Sequence, residues 1–184
     1  RHAAPDPGRP DTLAEVLQRA DAALLSLDFE GARRVLDAAP ASLQGEPALG
    51  LRRAQAEFRS GHLARAAAIT RALLQAEPGV SDPVLRARPL YQHGNIVLIE
   101  GRAAEADAAF REAVALVAPR DQPAVLGQAY TGLASALADQ GLYQDAALAF
   151  GRARVPLVLA GDTLALARVD ANEGMLERLR GRPE

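Results

Sequence analysis

The sequence predicts an all-α protein made of repeated pairs of antiparallel helices. Alanine, the best helix former, makes up about a fifth of the 184 residues, whereas aromatic residues are only 4%. Glycines also recur 40 residues apart, at Gly61, Gly101, Gly141 and Gly181. Glycine adopts positive φ without strain and so commonly ends helices. The spacing therefore predicts that one helix of each pair ends at the same point of every unit.

Further residue columns keep the same period. A small residue lies seven positions before each of these glycines, and an alanine, an aromatic and a second alanine follow the glycine at helical spacing. The small residue allows a second helix to approach closely, and the other three share one face of that helix. One pair cannot bury this face alone, so neighbouring pairs are expected to stack. These columns contain Ala54, Gly94, Ala134 and Gly174; Ala66, Ala106 and Ala146; Phe110 and Phe150; and Ala113 and Ala153.

Helix boundaries follow from capping signals along the chain. Ser81-Asp82-Pro83 and Asp121-Gln122-Pro123 combine an acceptor side chain with an early proline, and Asp162 precedes Thr163. Residues 1–10 contain three prolines and are expected to be a linker, and residues 182–184 a short tail. The predicted helices span 11–26, 29–39, 47–60, 63–76, 83–100, 103–117, 122–140, 143–159 and 163–180. The last one is expected either to cap the array or to begin a further pair.

These columns resemble the tetratricopeptide repeat, a family with a small residue at repeat position 8, alanine at 20, an aromatic at 24, alanine at 27 and proline near 32. The match is good over 83–119 and 122–159, weaker over 47–78, where Thr70 replaces the aromatic, and weakest over 11–40. It rests on Leu90, Gly94, Ala106, Phe110, Ala113 and Pro119; Tyr130, Ala134, Tyr143, Ala146, Phe150 and Ala153; Ala54, Gly61, Ala66 and Pro78; and Ala20, Phe29, Ala32, Leu36 and Ala39. The 40-residue period exceeds the family's usual 34.

The resemblance implies a right-handed superhelical solenoid over residues 11–181, with four repeats and a terminal helix. It also implies a concave groove lined by the first helix of each unit. Phe58 and Tyr91 are the aromatics that the packing columns leave unassigned, and exposed aromatics beside arginine are typical binding anchors. The predicted binding residues are Arg52, Gln55, Phe58, Arg59, Arg88, Tyr91, Gln92, Asn95, Gln128, Thr131, Arg168 and Asn172. Leu51, Leu98, Ile99, Ser135, Asp139, Met175 and Arg178 are further groove positions.

Composition and motifs argue against several functions. The chain has no cysteine, a net charge of −2 and no apolar run long enough for a membrane span. It lacks a phosphate-binding glycine loop, a Gly-x-Ser-x-Gly elbow and a His-Glu-x-x-His motif. His93 is expected to have a structural role. We therefore predict no enzyme activity, no metal or other cofactor, no nucleic-acid partner and no membrane insertion.

The sequence favours a scaffold that binds a protein or peptide. The arginine excess in the predicted groove suits an acidic or carboxylate-bearing partner. The alanine- and arginine-rich repeats are similar in style to the sensory or effector part of larger bacterial regulatory proteins, in the cytoplasm or the periplasm. Two alternatives stay open. One is homo-oligomerisation through the apolar stripe Leu164, Ala167, Ala171, Met175 and Leu179, and the other is a small-molecule sensor pocket in the groove.

Overall fold

The computed structural model describes residues 11–76 and 82–181, and over these ranges the chain is helical without a strand. Nine α helices and one short 3-10 helix (Ala41–Leu43) are present in this part of the chain. The α helices are α1 (Leu13–Leu25), α2 (Phe29–Asp37), α3 (Pro47–Arg59), α4 (Leu63–Gln75), α5 (Pro83–Ile99), α6 (Ala103–Val117), α7 (Pro123–Asp139), α8 (Tyr143–Ala160) and α9 (Thr163–Arg180).

The all-α fold is confirmed, and each α helix begins and ends within two residues of its predicted boundary. The 3-10 helix was not predicted. Residues 1–10, Pro78, Ser81 and the tail 182–184 lie outside the described residues, so the linker, the tail and these two signals stay predictions.

The chain divides into two compact units, one ending at Leu73 and the other beginning at Leu74. In the first unit, α1 packs against α2 and α3, and α2 packs against α3. In the second unit, each helix from α5 to α9 packs against the next, and α7 also contacts α5 and α9. Each unit has buried apolar clusters of its own. Packing between consecutive helices therefore forms the core among α1–α3 and among α5–α9.

Three of the four predicted turn glycines have the same conformation. Gly61, Gly101 and Gly141 have φ of 81°, 77° and 76°. In each case the amide after the glycine donates to a carbonyl five residues back, at 2.8–2.9 Å. This is the Schellman arrangement that ends a helix at a left-handed residue.

Three other positions differ from the prediction. Gly181 has φ −82°, so it is not a fourth member of the series. Gly161 does have positive φ, 67°, although it lies outside the 40-residue period. Leu27 occupies the glycine position between α1 and α2. Its φ is 61°, and within the described ranges it is the one residue other than glycine with positive φ.

The small-residue column is needed for packing in the middle of the second unit. Phe110 on α6 is fully buried, and its ring lies against Gly94 on α5 and Gly132 on α7. A Cβ atom would lie 2.6 Å from the ring at Gly94 and 2.4 Å at Gly132, which is too close for either position to carry a side chain. Gly174, the equivalent on α9, is exposed and has no atom within 4 Å of such a Cβ. The expectation of close packing is therefore wrong for Gly174.

The helix caps agree with two of the three predicted starts. The Asp82 carboxylate accepts from the Val84 amide at 2.9 Å, and the Asp162 carboxylate accepts from the Ala165 amide at 2.9 Å. At α7 the helix begins at Pro123 as predicted, but the cap residue is Gln122 and no side chain bonds to the first turn, so the expected acceptor role of Asp121 is wrong.

Gly132 and Gly174 provide a matched test of the close contact between the Phe110 ring and the backbone of α7. We expect Gly132→Ala to lower the free energy of unfolding by about 1–3 kcal/mol, because its methyl group overlaps the buried Phe110 ring. Gly174→Ala should instead raise it by up to about 1 kcal/mol, since alanine favours the helix and the site is open. Urea denaturation followed by circular dichroism measures both changes. Equal effects of the two substitutions would contradict the close contact between Gly132 and the Phe110 ring.

The strained turn at Leu27 gives a second test. Left-handed backbone costs a side-chain-bearing residue about 1–2 kcal/mol, and glycine removes this cost while adding chain entropy to the unfolded state. Leu27→Gly should therefore stabilise the protein by about 0.5–1 kcal/mol. The reciprocal change Gly61→Leu should destabilise the protein, because the φ of Gly61 is 81°. No atom obstructs a side chain there, so the loss reports backbone strain and not a clash. Thermal unfolding would refute this account if Leu27→Gly lowered the midpoint.

Candidate binding site

A small cavity of about 90 Å³ opens between three helices of the second unit. Each helix presents one face to it. Residues three, four or seven positions apart on a helix lie on the same side, which explains the spacing on α5 and α9. The lining residues are Tyr91, Asn95 and Leu98 from α5, Thr131, Gly132 and Ser135 from α7, and Arg168 and Asn172 from α9.

Tyr91, which packs against the buried Phe110 ring, forms part of one wall of this cavity. Tyr91 lies against Phe110 with ring centroids 5.9 Å apart and an interplanar angle of 53°. Gly132 lines the cavity with bare backbone, since the same ring blocks a side chain there. The packing that joins α5, α6 and α7 therefore also positions Tyr91 at the cavity.

The two α7 hydroxyl groups that line the cavity are already engaged with their own helix. The Thr131 hydroxyl donates to the Gly127 carbonyl at 2.9 Å, and the Ser135 hydroxyl donates to the Thr131 carbonyl at 3.2 Å. Both oxygens retain acceptor capacity. The two side chains therefore add a polar wall without a free proton to donate.

The amide and cationic groups of the cavity are uncommitted. The side chains of Asn95, Asn172 and Arg168 form no hydrogen bond or ion pair with another residue in the described ranges. The neighbouring Arg154 is different, because it donates hydrogen bonds to Glu173 and Asp170. The bond to Glu173 has the larger effect, and both raise the pKa of Arg154 above its usual value. Arg168 is the charged residue among those lining the cavity, so the local charge is positive.

The structure brings together part of the predicted set. Tyr91, Asn95, Thr131, Arg168 and Asn172 all line the cavity, and so do the further groove positions Leu98 and Ser135. Gly132 was missed. It belongs to no repeat column, and its only signal is that it is a glycine inside a predicted helix.

Three predicted residues of the second unit lie elsewhere. Gln92 is only 7% exposed and its Nε2 has no partner in the described residues, so the expectation that it faces a groove is wrong. Gln128 is half-buried and donates to the Asp162 carboxylate at 3.1 Å. Arg88 is exposed on α5 but does not line the cavity.

The predicted residues of the first unit have local partners. Arg52 donates two hydrogen bonds to the Asp21 carboxylate, both at 2.9 Å. The expectation that its guanidinium is open to a ligand carboxylate is therefore wrong. Arg59 lies over the Phe29 ring, 5.5 Å from its centroid. Phe58 is half-buried and Gln55 is exposed.

The two described histidines each contact one carboxylate. His62 Nδ1 lies 2.7 Å from Glu57, and His93 Nε2 lies 3.1 Å from Glu105. Within residues 11–76 and 82–181, no three histidine, aspartate or glutamate side chains come together as a metal site. None of the described helices combines the length and the apolar character that a bilayer crossing requires.

Comparison with known proteins assigns no family. Neither a protein-family model nor a curated protein sequence matches this chain.

Proposed function

We propose that this chain is a non-catalytic tetratricopeptide-like scaffold that binds a protein or peptide through the cavity between α5, α7 and α9. The observation that supports it is the convergence of three uncommitted polar side chains, Asn95, Arg168 and Asn172, beside an aromatic ring. Such groups are costly to leave unsatisfied once a partner covers them. A partner that pairs with them therefore gains affinity and specificity together.

The wider proposal retains the fold and setting that the sequence favours. In this proposal the chain is a right-handed solenoid of about four repeats and a terminal helix. It forms the sensory or interaction part of a larger bacterial regulatory protein. The consecutive packing of the helices and the three like turns at Gly61, Gly101 and Gly141 support the repeat. The alanine- and arginine-rich composition supports the setting.

The charge and size of the cavity indicate the kind of group it accepts. Arg168 pairs well with a carboxylate, and asparagine amides both donate to and accept from a peptide backbone. The volume of about 90 Å³ is far below the roughly 300–1,000 Å³ of pockets that enclose a drug-sized ligand. The cavity therefore favours the tip of one acidic side chain of a peptide over a small-molecule effector.

An acidic peptide library tests this proposal directly. For a peptide selected on the intact chain, Arg168→Ala and Asn172→Ala should each weaken binding by about 1–3 kcal/mol, the usual range for interface hot spots. Fluorescence anisotropy measures the change, and circular dichroism checks that the helices persist. Arg178→Ala is the matched control, because it removes an exposed arginine from the same helix without touching the cavity. An equal loss in Arg178→Ala would show that general charge attraction is being measured.

One observation favours self-association through α9 as a second function. The apolar stripe predicted on this helix is exposed along its whole length, at Leu164, Ala167, Ala171, Met175 and Leu179. Exposed apolar stripes of this kind are typical of protein interfaces. Light scattering on Met175→Glu distinguishes this function, since it requires that variant to lose self-association.

A further inference from the structure

We propose that Arg154 on α8 is a positioning residue of the cavity, although it does not line the cavity itself. Its side chain donates hydrogen bonds to Asp170, at 2.7 Å, and to Glu173, both on α9. We call these two ion pairs the Arg154 tie. The tie sets the rotation of α9 about its own axis and so places Arg168 and Asn172 at the cavity. This inference rests on the proposed function of the cavity.

The Arg154 tie and the cavity lie at opposite edges of the buried face of α9. Successive residues of an α helix are about 100° apart around its axis. By this spacing, the cavity pair Arg168 and Asn172 is centred roughly 150° from the acidic pair of the tie. The buried residues of the helix lie between the two edges, and they are Ala165, Val169 and Leu176. A roll of α9 on its buried face therefore moves both edges together.

Apolar packing gives α9 little resistance to such a roll. Three of its described side chains are buried, whereas α7, which is of similar length, has nine buried residues. The start of α9 is anchored, because Asp162 accepts a hydrogen bond from Gln128 of α7 at 3.1 Å. Beyond that first turn, the Arg154 tie joins α9 to α8 across an edge of the buried face. The rotation of the helix at the cavity therefore depends on the tie.

The preceding helix pair shows that the repeat does not require charged residues at this place. Forty positions earlier, on α6 and α7, the residues equivalent to the tie are Val114, Tyr130 and Leu133. All three are buried or partly buried in apolar clusters. Apolar attraction is non-directional, whereas a hydrogen-bonded ion pair has a defined geometry. The tie therefore orients α9 more closely than apolar packing at the same place would.

Removal of one acidic charge from the tie tests this role by the sign of its effect. Glu173→Ala removes a negative charge close to Arg168, so charge attraction alone would strengthen the binding of an acidic peptide. The tie instead requires Glu173→Ala to weaken binding by about threefold, the scale of an exposed ion pair. Fluorescence anisotropy measures this on a peptide selected from an acidic library with the intact chain. Asp139→Ala is the matched control, because it removes an exposed carboxylate one turn beyond Ser135 on α7 and should not weaken binding.

Two further measurements separate positioning from a general loss of stability. Arg154→Ala should move the side-chain amide resonances of Asn172 in the peptide-free protein, and Arg154→Lys should largely restore them, because an ammonium group can pair with both carboxylates. In the Arg168→Ala background, Glu173→Ala should cause a smaller further loss of affinity than in the intact chain, since the tie acts through a residue that is already absent. Circular dichroism checks that the helices persist in each variant.

The outcomes distinguish this inference from the proposed function. If Arg168→Ala leaves peptide binding unchanged, the cavity is not the binding site and the inference fails with it. If Arg168→Ala weakens binding but Glu173→Ala strengthens it or leaves it unchanged, the positioning role of Arg154 alone is overturned. It is also overturned if the Asn172 resonances are the same in Arg154→Ala as in the intact chain.

Discussion

The second unit depends on one steric constraint, the placement of the Phe110 ring between the backbones of α5 and α7. Gly94 and Gly132 are the two residues that make room for it. A fully buried phenylalanine contributes much of the apolar area of a small core, and here it holds three helices at once. Half of the other buried residues in its cluster are alanines, which bring helices close but bury little area each. The ring therefore supplies the packing that small side chains cannot.

The cavity between α5, α7 and α9 is a consequence of the same constraint. Tyr91 rests on the buried ring, and Gly132 leaves a gap that a side chain would fill. Asn95 on α5 and Arg168 and Asn172 on α9 also line the cavity, and both helices contact α7. A rigid apolar base with uncommitted amides and a cation above it is a common arrangement for recognising one side chain of a partner. Here the base is fixed by the core rather than by a loop.

The sequence predicted the helices from periodic spacing, and the resemblance to the tetratricopeptide repeat implied most of the residues that line the cavity. The turns at Gly101 and Gly141 and the burial of Phe110 and Phe150 follow from columns that are visible without coordinates. Interactions between residues far apart in the chain carry no such signal. The pairing of Arg52 with Asp21 spans 31 residues, and no local pattern indicates that this arginine is committed. Gly132 was missed for the same reason, because its partner is a ring on another helix.

The link between α8 and α9 couples the cavity to the solution around it. Arg154 on α8 bonds to Asp170 and Glu173 on α9, the helix that carries Arg168 and Asn172. These ion pairs are partly exposed, so dissolved salt screens them. If the cavity binds an anionic group as proposed, ionic strength would act by two routes: it would weaken the direct attraction of Arg168 for that group, and it would loosen the electrostatic tie between α8 and α9. Even an uncharged ligand would experience the second effect.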